Sequence, residues 1–279
     1  MRFTEKLEAL LNKKIKRTSA LSGGKIGQVY LVVFEDESKL VAKTSDNSLL
    51  VEAKMLDYLK EKTSLPVPKV AAVTEDILVL DYVAGSSQFT PAAERHAASL
   101  LAALHSLTQE QFGFAHDTLI GNLKQPNPLS KSWLDFFKKH RLSYMLEQNA
   151  RLNKLPLELV KRLEHLIECL DIYVPETKPA LIHGDVWSAN ILSENGSITA
   201  FLDPALYYGS AEVELAYIDL FGTFTNVFFE YYHEHSSIDK AFWRTRRHVY
   251  ALYPLLVHVY YFGDAYLKPI EEKLELLRA

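Results

Sequence analysis

The apolar residues change period between residues 81 and 87, and that change limits the fold of this 279-residue chain more than any other feature. Before it come short β-prone runs at residues 28–34, 39–44, 70–73 and 77–80. They surround one helical pattern at 48–62, in which Leu49, Ala53, Leu56 and Leu59 keep helical spacing. Leu65-Pro66-Val67-Pro68 reads as an extended connection, because each proline restrains the residue before it. After the change, helical patterns dominate at 91–107, 132–149 and 157–170, with more beyond Ala211. We therefore expect an α+β chain of two lobes, a small antiparallel-sheet N-lobe at 1–83 and a larger, mainly helical C-lobe at 84–279, with a cleft at their junction.

Residues 183–190 read HGDVWSAN, which sets Asp185 and Asn190 five positions apart after a histidine. An apolar run at 180–182 precedes this loop; Ile191 and Leu192 follow it, then a turn at Glu194-Asn195-Gly196 and a strand-like run at 198–202 that delivers Asp203. Pro204 stops the ladder there. A hairpin of this kind gathers Asp185, Asn190 and Asp203 around one small volume, which suits a magnesium-nucleotide, since magnesium takes hard oxygen ligands. In kinase-like phosphotransferases the same spacing makes the aspartate a base toward an attacking hydroxyl and the asparagine a metal ligand. Asp185 is thus the candidate catalytic base, and Asn190 and Asp203 are the candidate metal ligands. His183 is expected to brace the loop rather than handle protons, because Asp185 already fills the base position.

A second cluster lies near the N-terminus. Gly23 and Gly24 precede the strand at 28–34 and could let backbone fold closely over phosphates, although neither a Walker A loop nor GxGxxG is present. Leu40-Val41-Ala42-Lys43 reads as a strand ending in a lysine, and Glu52 follows on the helix at 48–62. Lys43 is the candidate phosphate anchor and Glu52 its orienter. Leu80-Asp81-Tyr82-Val83 would form the hinge, where main-chain groups of Asp81 and Val83, on either side of Tyr82, could bond adenine.

These blocks together resemble the fructosamine kinase (ketosamine-3-kinase) family, within the wider aminoglycoside and choline kinase-like group. The likeness covers nearly the whole length, through SGGKIGQVY, LVAK, FGFAHDTLIG with KQPN and WLDFFKKHRL, LIHGDVWSANIL, LDPALYYGSAEVELAYIDLFG and HVYYFGDAYL. It implies a protein-kinase-like fold and transfer of the γ-phosphoryl of ATP, with magnesium, to a sugar hydroxyl of a ketosamine, either free or on a glycated protein lysine. Ala189 stands where the family usually carries glycine, and Ser210 replaces a commoner histidine or aspartate. A choline- or aminoglycoside-type kinase shares every nucleotide residue and stays open, as does a non-catalytic pseudokinase. Asp203 is followed by Pro-Ala rather than Phe-Gly, and no APE-closed activation segment precedes residue 211, so a peptide platform is not expected.

For the acceptor, Trp187 either stacks on a sugar or cation or packs in the core. His258 and Tyr261 are candidates for the same pocket, with core packing the favoured reading. Glu212, Glu214 and Asp219 would form a solvated face. The formal net charge of −4, with signs mixed throughout, leaves no basic surface for nucleic acid. The lone Cys169, expected to be buried, excludes an internal disulfide and suits a reducing cytoplasm. Residues 1–16 alternate charge with leucine and read as a helix rather than a signal peptide. The apolar run at 249–262, interrupted by Pro254, falls short of the roughly 20 residues a bilayer span needs, so a buried C-terminal helix kinked near the proline is expected instead.

Overall fold

The computed structural model describes residues 3–21, 28–45 and 49–278, so Gly23 and Gly24 lie outside the described residues. The chain opens with α1 (Phe3–Leu11), β1 (Ile15–Ala20), β2 (Gln28–Phe34), β3 (Lys39–Thr44), α2 (Leu50–Lys62), β4 (Val70–Val73) and β5 (Ile77–Asp81). The strands make one antiparallel five-stranded sheet in the order β1-β2-β3-β5-β4. Strand β1 departs from the helix expected over 1–16. Asn12 adopts a left-handed φ of 47°, which ends α1 and lets the chain extend from Ile15.

Strand β5 explains how this sheet joins the rest. Its alternating side chains go to two different cores, as a period of two requires. Ile77 and Val79 pack with Leu7, Val32, Phe34 and Ala42 on the outer face. Leu78 and Leu80 join Ala53, Met55, Leu56 and Leu59 of α2 in a cluster that continues through the helical region to Leu274 and Leu277.

The helical region begins with α3 (Pro91–His105), whose start is set by Thr90 accepting from the Ala93 amide and by Pro91 in the first turn. A short hairpin follows, β6 (Thr118–Ile120) and β7 (Leu123–Gln125), and then α4 (Trp133–Phe137), a π-helical segment Lys138–Ser143, α5 (Tyr144–Arg151) and α6 (Leu157–Glu168). The helix expected at 132–149 is therefore present but contains a π-helical stretch. That stretch carries Arg141, a buried guanidinium stacked 3.8 Å over the Tyr207 ring and donating to the Pro126 carbonyl and Asn127 Oδ1 at 2.8 and 2.6 Å. Cys169, just after α6, is only partly buried.

The next segment consists of β8 (Ala180–Ile182), β9 (Ile191–Glu194), β10 (Ser197–Phe201) and β11 (Tyr207–Gly209). Strands β9 and β10 form the expected hairpin, while β11 pairs with β8. The last helices are α7 (Ala211–Phe221), α8 (Asn226–His235), α9 (Arg247–Phe262), with Pro254 inside it, and α10 (Leu267–Leu277). Among the described residues no helix is long and apolar enough to cross a membrane. The cluster Glu212, Glu214 and Asp219 is not the solvated face expected from sequence. Glu214 is fully buried, Glu212 takes two bonds of 2.6 Å from Arg246, and Asp219 pairs with Arg247 at 3.3 Å.

Candidate active site

The site is assembled by backbone bonds between two loops. Gly184 has φ +87°, and a Cβ placed there would lie 2.2 Å from the Ala205 carbonyl oxygen, so the loop after β8 closes against residue 205 only because no side chain intervenes. The Ala205 amide donates to the His183 carbonyl and the Leu202 amide to the Asn190 carbonyl, both at 2.8 Å. Asp203 between them takes a left-handed φ of 52°, the conformation that turns its carboxylate out of β10. The loop that carries Asp185 and the one that carries Asp203 are thus laced together, which is what the strand, loop and strand pattern anticipated.

The charged groups converge. Lys43 Nζ, on β3, lies 2.7 and 2.8 Å from the two carboxylate oxygens of Glu52 on α2, and 2.9 Å from Asp203 Oδ1. Burial works against this ammonium, but Asp203 and Glu52 outweigh it and hold its pKa above the usual lysine value. Lys43 therefore stays charged. Asn190 Nδ2 donates to Asp185 Oδ2 at 2.8 Å and also to the Asp185 carbonyl at 3.1 Å. Burial pushes the Asp185 carboxyl up to about 7; Tyr217 and Asn190 oppose that rise by hydrogen bonding, while Asp203 adds to it by charge. A carboxyl poised near neutrality suits proton transfer at physiological pH.

His183 is fully buried with its ring beside Phe201, and its Nδ1 accepts the Asp185 amide at 3.3 Å, which is a bracing contact. Burial depresses its pKa and so favours the neutral ring. Sequence reasoning missed Glu214. Its Oε1 accepts the Gly184 amide at 2.6 Å and its Oε2 lies 2.8 Å from His105 Nε2, whose other ring nitrogen meets Tyr232 Oη at 2.7 Å. Burial alone would raise Glu214, but the His105 hydrogen bond and nearby charge prevail and its pKa is lowered.

One cleft contains Lys43, Glu52, Asp185, Asn190 and Asp203, with about 1160 Å³ of atom-free space counting its open mouth. Trp187, His258 and Tyr261 line the same cleft, and Tyr261, half-buried, also packs on the main apolar cluster. His258 and Tyr261 both lie on α9, which buries Leu255, Leu256 and Val259. At the expected hinge, the Asp81 amide donates to the Lys69 carbonyl at 2.9 Å. Tyr82 is exposed, with Lys39 Nζ 5.4 Å from its ring centroid.

Among the described residues no group of three or more His, Cys, Asp or Glu side chains could hold a metal by itself. The arrangement fits magnesium brought by phosphates. With Nδ2 committed to Asp185, Asn190 has only its amide oxygen to offer, and Asp203 adds a carboxylate. Two hard oxygens from the protein are what magnesium takes where phosphates and water complete its octahedron.

The family model for fructosamine kinase matches residues 2–279. The chain belongs to the fructosamine kinase family. Members are phosphotransferases with a hydroxyl acceptor, and so is this enzyme. Relatives of this fructosamine kinase family chain include a "Probable ketoamine kinase" of Synechocystis sp., 31% identical over 94% of this chain and 90% of the relative. Another is "Probable ketoamine kinase YniA" of Escherichia coli K12, 30% identical over 98% and 96%. A solved "putative fructosamine-3-kinase" from Thermobifida fusca is 28% identical, with TM-score 0.87 and 99% of both chains covered. A variant of the aminoglycoside phosphotransferase APH(4)-Ia, crystallised with ADP and hygromycin B, shares the fold at TM-score 0.71 and 16% identity over 100% of this chain and 97% of its own.

Proposed function

We propose that this enzyme is a ketosamine kinase that transfers the γ-phosphoryl of ATP to a sugar hydroxyl of a fructosamine or ribulosamine, free or on a glycated protein lysine. Phosphorylation makes such an adduct decompose and free the amine, a deglycation repair reaction suited to the cytoplasm. The observation that carries the proposal is the convergence of the Lys43–Glu52 pair, the Lys43–Asp203 contact and the Asp185–Asn190 contact on one cleft, in a chain of this family.

Phosphoryl transfer asks mainly for positioning and for neutralisation of phosphate charge. Lys43, held by Glu52 and charged through the neutral pH range, would meet the α and β phosphates once nucleotide displaces Asp203 from it. Asn190 and Asp203 would hold magnesium, which neutralises charge on the phosphates when bound. Asp185 receives the proton as the acceptor oxygen bonds to the γ-phosphorus and the bond to the ADP oxygen breaks. Trp187, Tyr261 and His258 offer ring surface to the sugar and its amine.

A panel of acceptors assayed with magnesium-ATP tests this reading. Fructosyl- and ribulosyl-lysine should be turned over in preference to choline and aminoglycosides, and Asp185→Asn should lose about 10²- to 10⁴-fold in kcat, the usual contribution of a positioned base. Preference for choline over every ketosamine, or full turnover by Asp185→Asn, would refute it.

A further inference from the structure

The two oxygens of the Asp185 carboxylate each hold a different donor: Asn190 Nδ2 on Oδ2 and the Tyr217 hydroxyl on Oδ1. Tyr217 belongs to α7, and its side chain also lines the cleft. On that helix it stands three residues after Glu214, so both side chains fall on one face. Glu214 grips the loop by its backbone at Gly184, and Tyr217 grips it by its reactive side chain.

The Tyr217 ring is itself fixed. Its centroid lies 4.9 Å from that of Phe221, one turn along α7, and Phe221 lies 4.6 Å from the His258 ring of α9. The His258 Nδ1 is 2.8 Å from the Pro254 carbonyl, so this row of rings ends on the backbone of α9. A carboxylate with one donor can still turn about its terminal torsion, which is broad and roughly two-fold. A second donor on the other oxygen removes that freedom.

We propose that Tyr217 is a positioning residue for phosphoryl transfer, holding Asp185 by Oδ1 so that the carboxylate plane, and with it the remaining lone pairs, faces the acceptor hydroxyl. This rests on the reading of Asp185 as the base. It assigns to α7 a function that the HGDVWSAN loop does not itself contain. The alternative is a buried phenol that merely satisfies its own hydroxyl on the nearest oxygen, and such a phenol would leave the rate alone.

The test is a double-mutant cycle in kcat on Tyr217→Phe, Asp185→Asn and the double variant, with KM for ATP measured alongside. Tyr217→Phe keeps the ring and its packing on Phe221. It should lower kcat by roughly 10- to 100-fold, the scale of a small misplacement of a reacting group, with KM for ATP changed less than about two-fold. In the Asp185→Asn background the same substitution should cost nothing further, because the group it holds is gone. Placing 4-aminophenylalanine at position 217 restores a donor at the same ring position and should recover most of the rate, an outcome that a packing role does not produce. If Tyr217→Phe turns over within about two-fold of the parent while Asp185→Asn is inactive, or if the two losses multiply, the positioning role is wrong and the base assignment survives. Full activity of Asp185→Asn alone removes the base assignment instead.

Discussion

Gly184 shows how much a single residue decides here. Its φ of +87° and the 2.2 Å that would separate an added Cβ from the Ala205 oxygen mean that any side chain must push residue 205 away, and with it the segment that carries Asp203. Gly184→Ala should therefore lower stability by more than about 1 kcal/mol, the scale of a Gly-to-Ala change at an incompatible φ, and should also depress kcat. Thermal melting and initial rates check both, and a variant with parental melting temperature and rate would contradict this account. At this scale the charged and amide groups that converge in the cleft were legible in the sequence. Lys43, Glu52, Asp185, Asn190 and Asp203 sit at spacings set by single local units, a strand end, a helix turn and a hairpin. Glu214 and Tyr217 were not legible as site residues. An acid and a tyrosine on an amphipathic-looking helix carry no mark of what they face, and only the packing of α7 against the loop after β8 gives them partners.

Among the elements, the hairpin β6–β7 escaped the sequence reading because three-residue strands are too short to show a period. It nevertheless forms part of the cleft wall through Leu119, Ile120, Gly121 and Asn122. Tyr261 of α9 clamps its turn, accepting the Asn122 amide at 2.8 Å and donating to the Ile120 carbonyl at 2.9 Å. Removing that hydroxyl leaves two backbone groups to find other partners. Tyr261→Phe should raise KM for the acceptor several-fold while leaving KM for ATP nearly unchanged, since the clamp touches no nucleotide-side residue. Steady-state kinetics with each substrate varied in turn separate the two, and an equal rise in both constants would show that the clamp does not belong to the acceptor side. The strands β2, β3 and β4 and the helices α3 and α6 were readable because their runs are long enough or flanked by proline. The helix expected over 1–16 forms as α1 but stops at Leu11, and β1, which begins at Ile15 and runs past that stretch, was not read as a strand.

For the whole molecule, the sheet and the helical region share one main apolar core. The apolar cluster runs from α2 and one face of β5 into the helical region without interruption. Unfolding should accordingly be a single cooperative transition, and saturating magnesium-ATP should shift it as a whole, by about 2.7 kcal/mol at a hundred times Kd. Two calorimetric peaks, or a shift of one part only, would contradict a shared core. The sharing also bears on turnover. Tyr58, six residues after Glu52 on α2, rests edge-on against Phe114 at 5.0 Å between ring centroids, and its hydroxyl meets that of Tyr208 at 3.1 Å. The helix that steadies the lysine is therefore moored to the floor beneath it, so the Lys43–Glu52 pair on which the proposed transfer depends is held from the helical side as well as from the sheet.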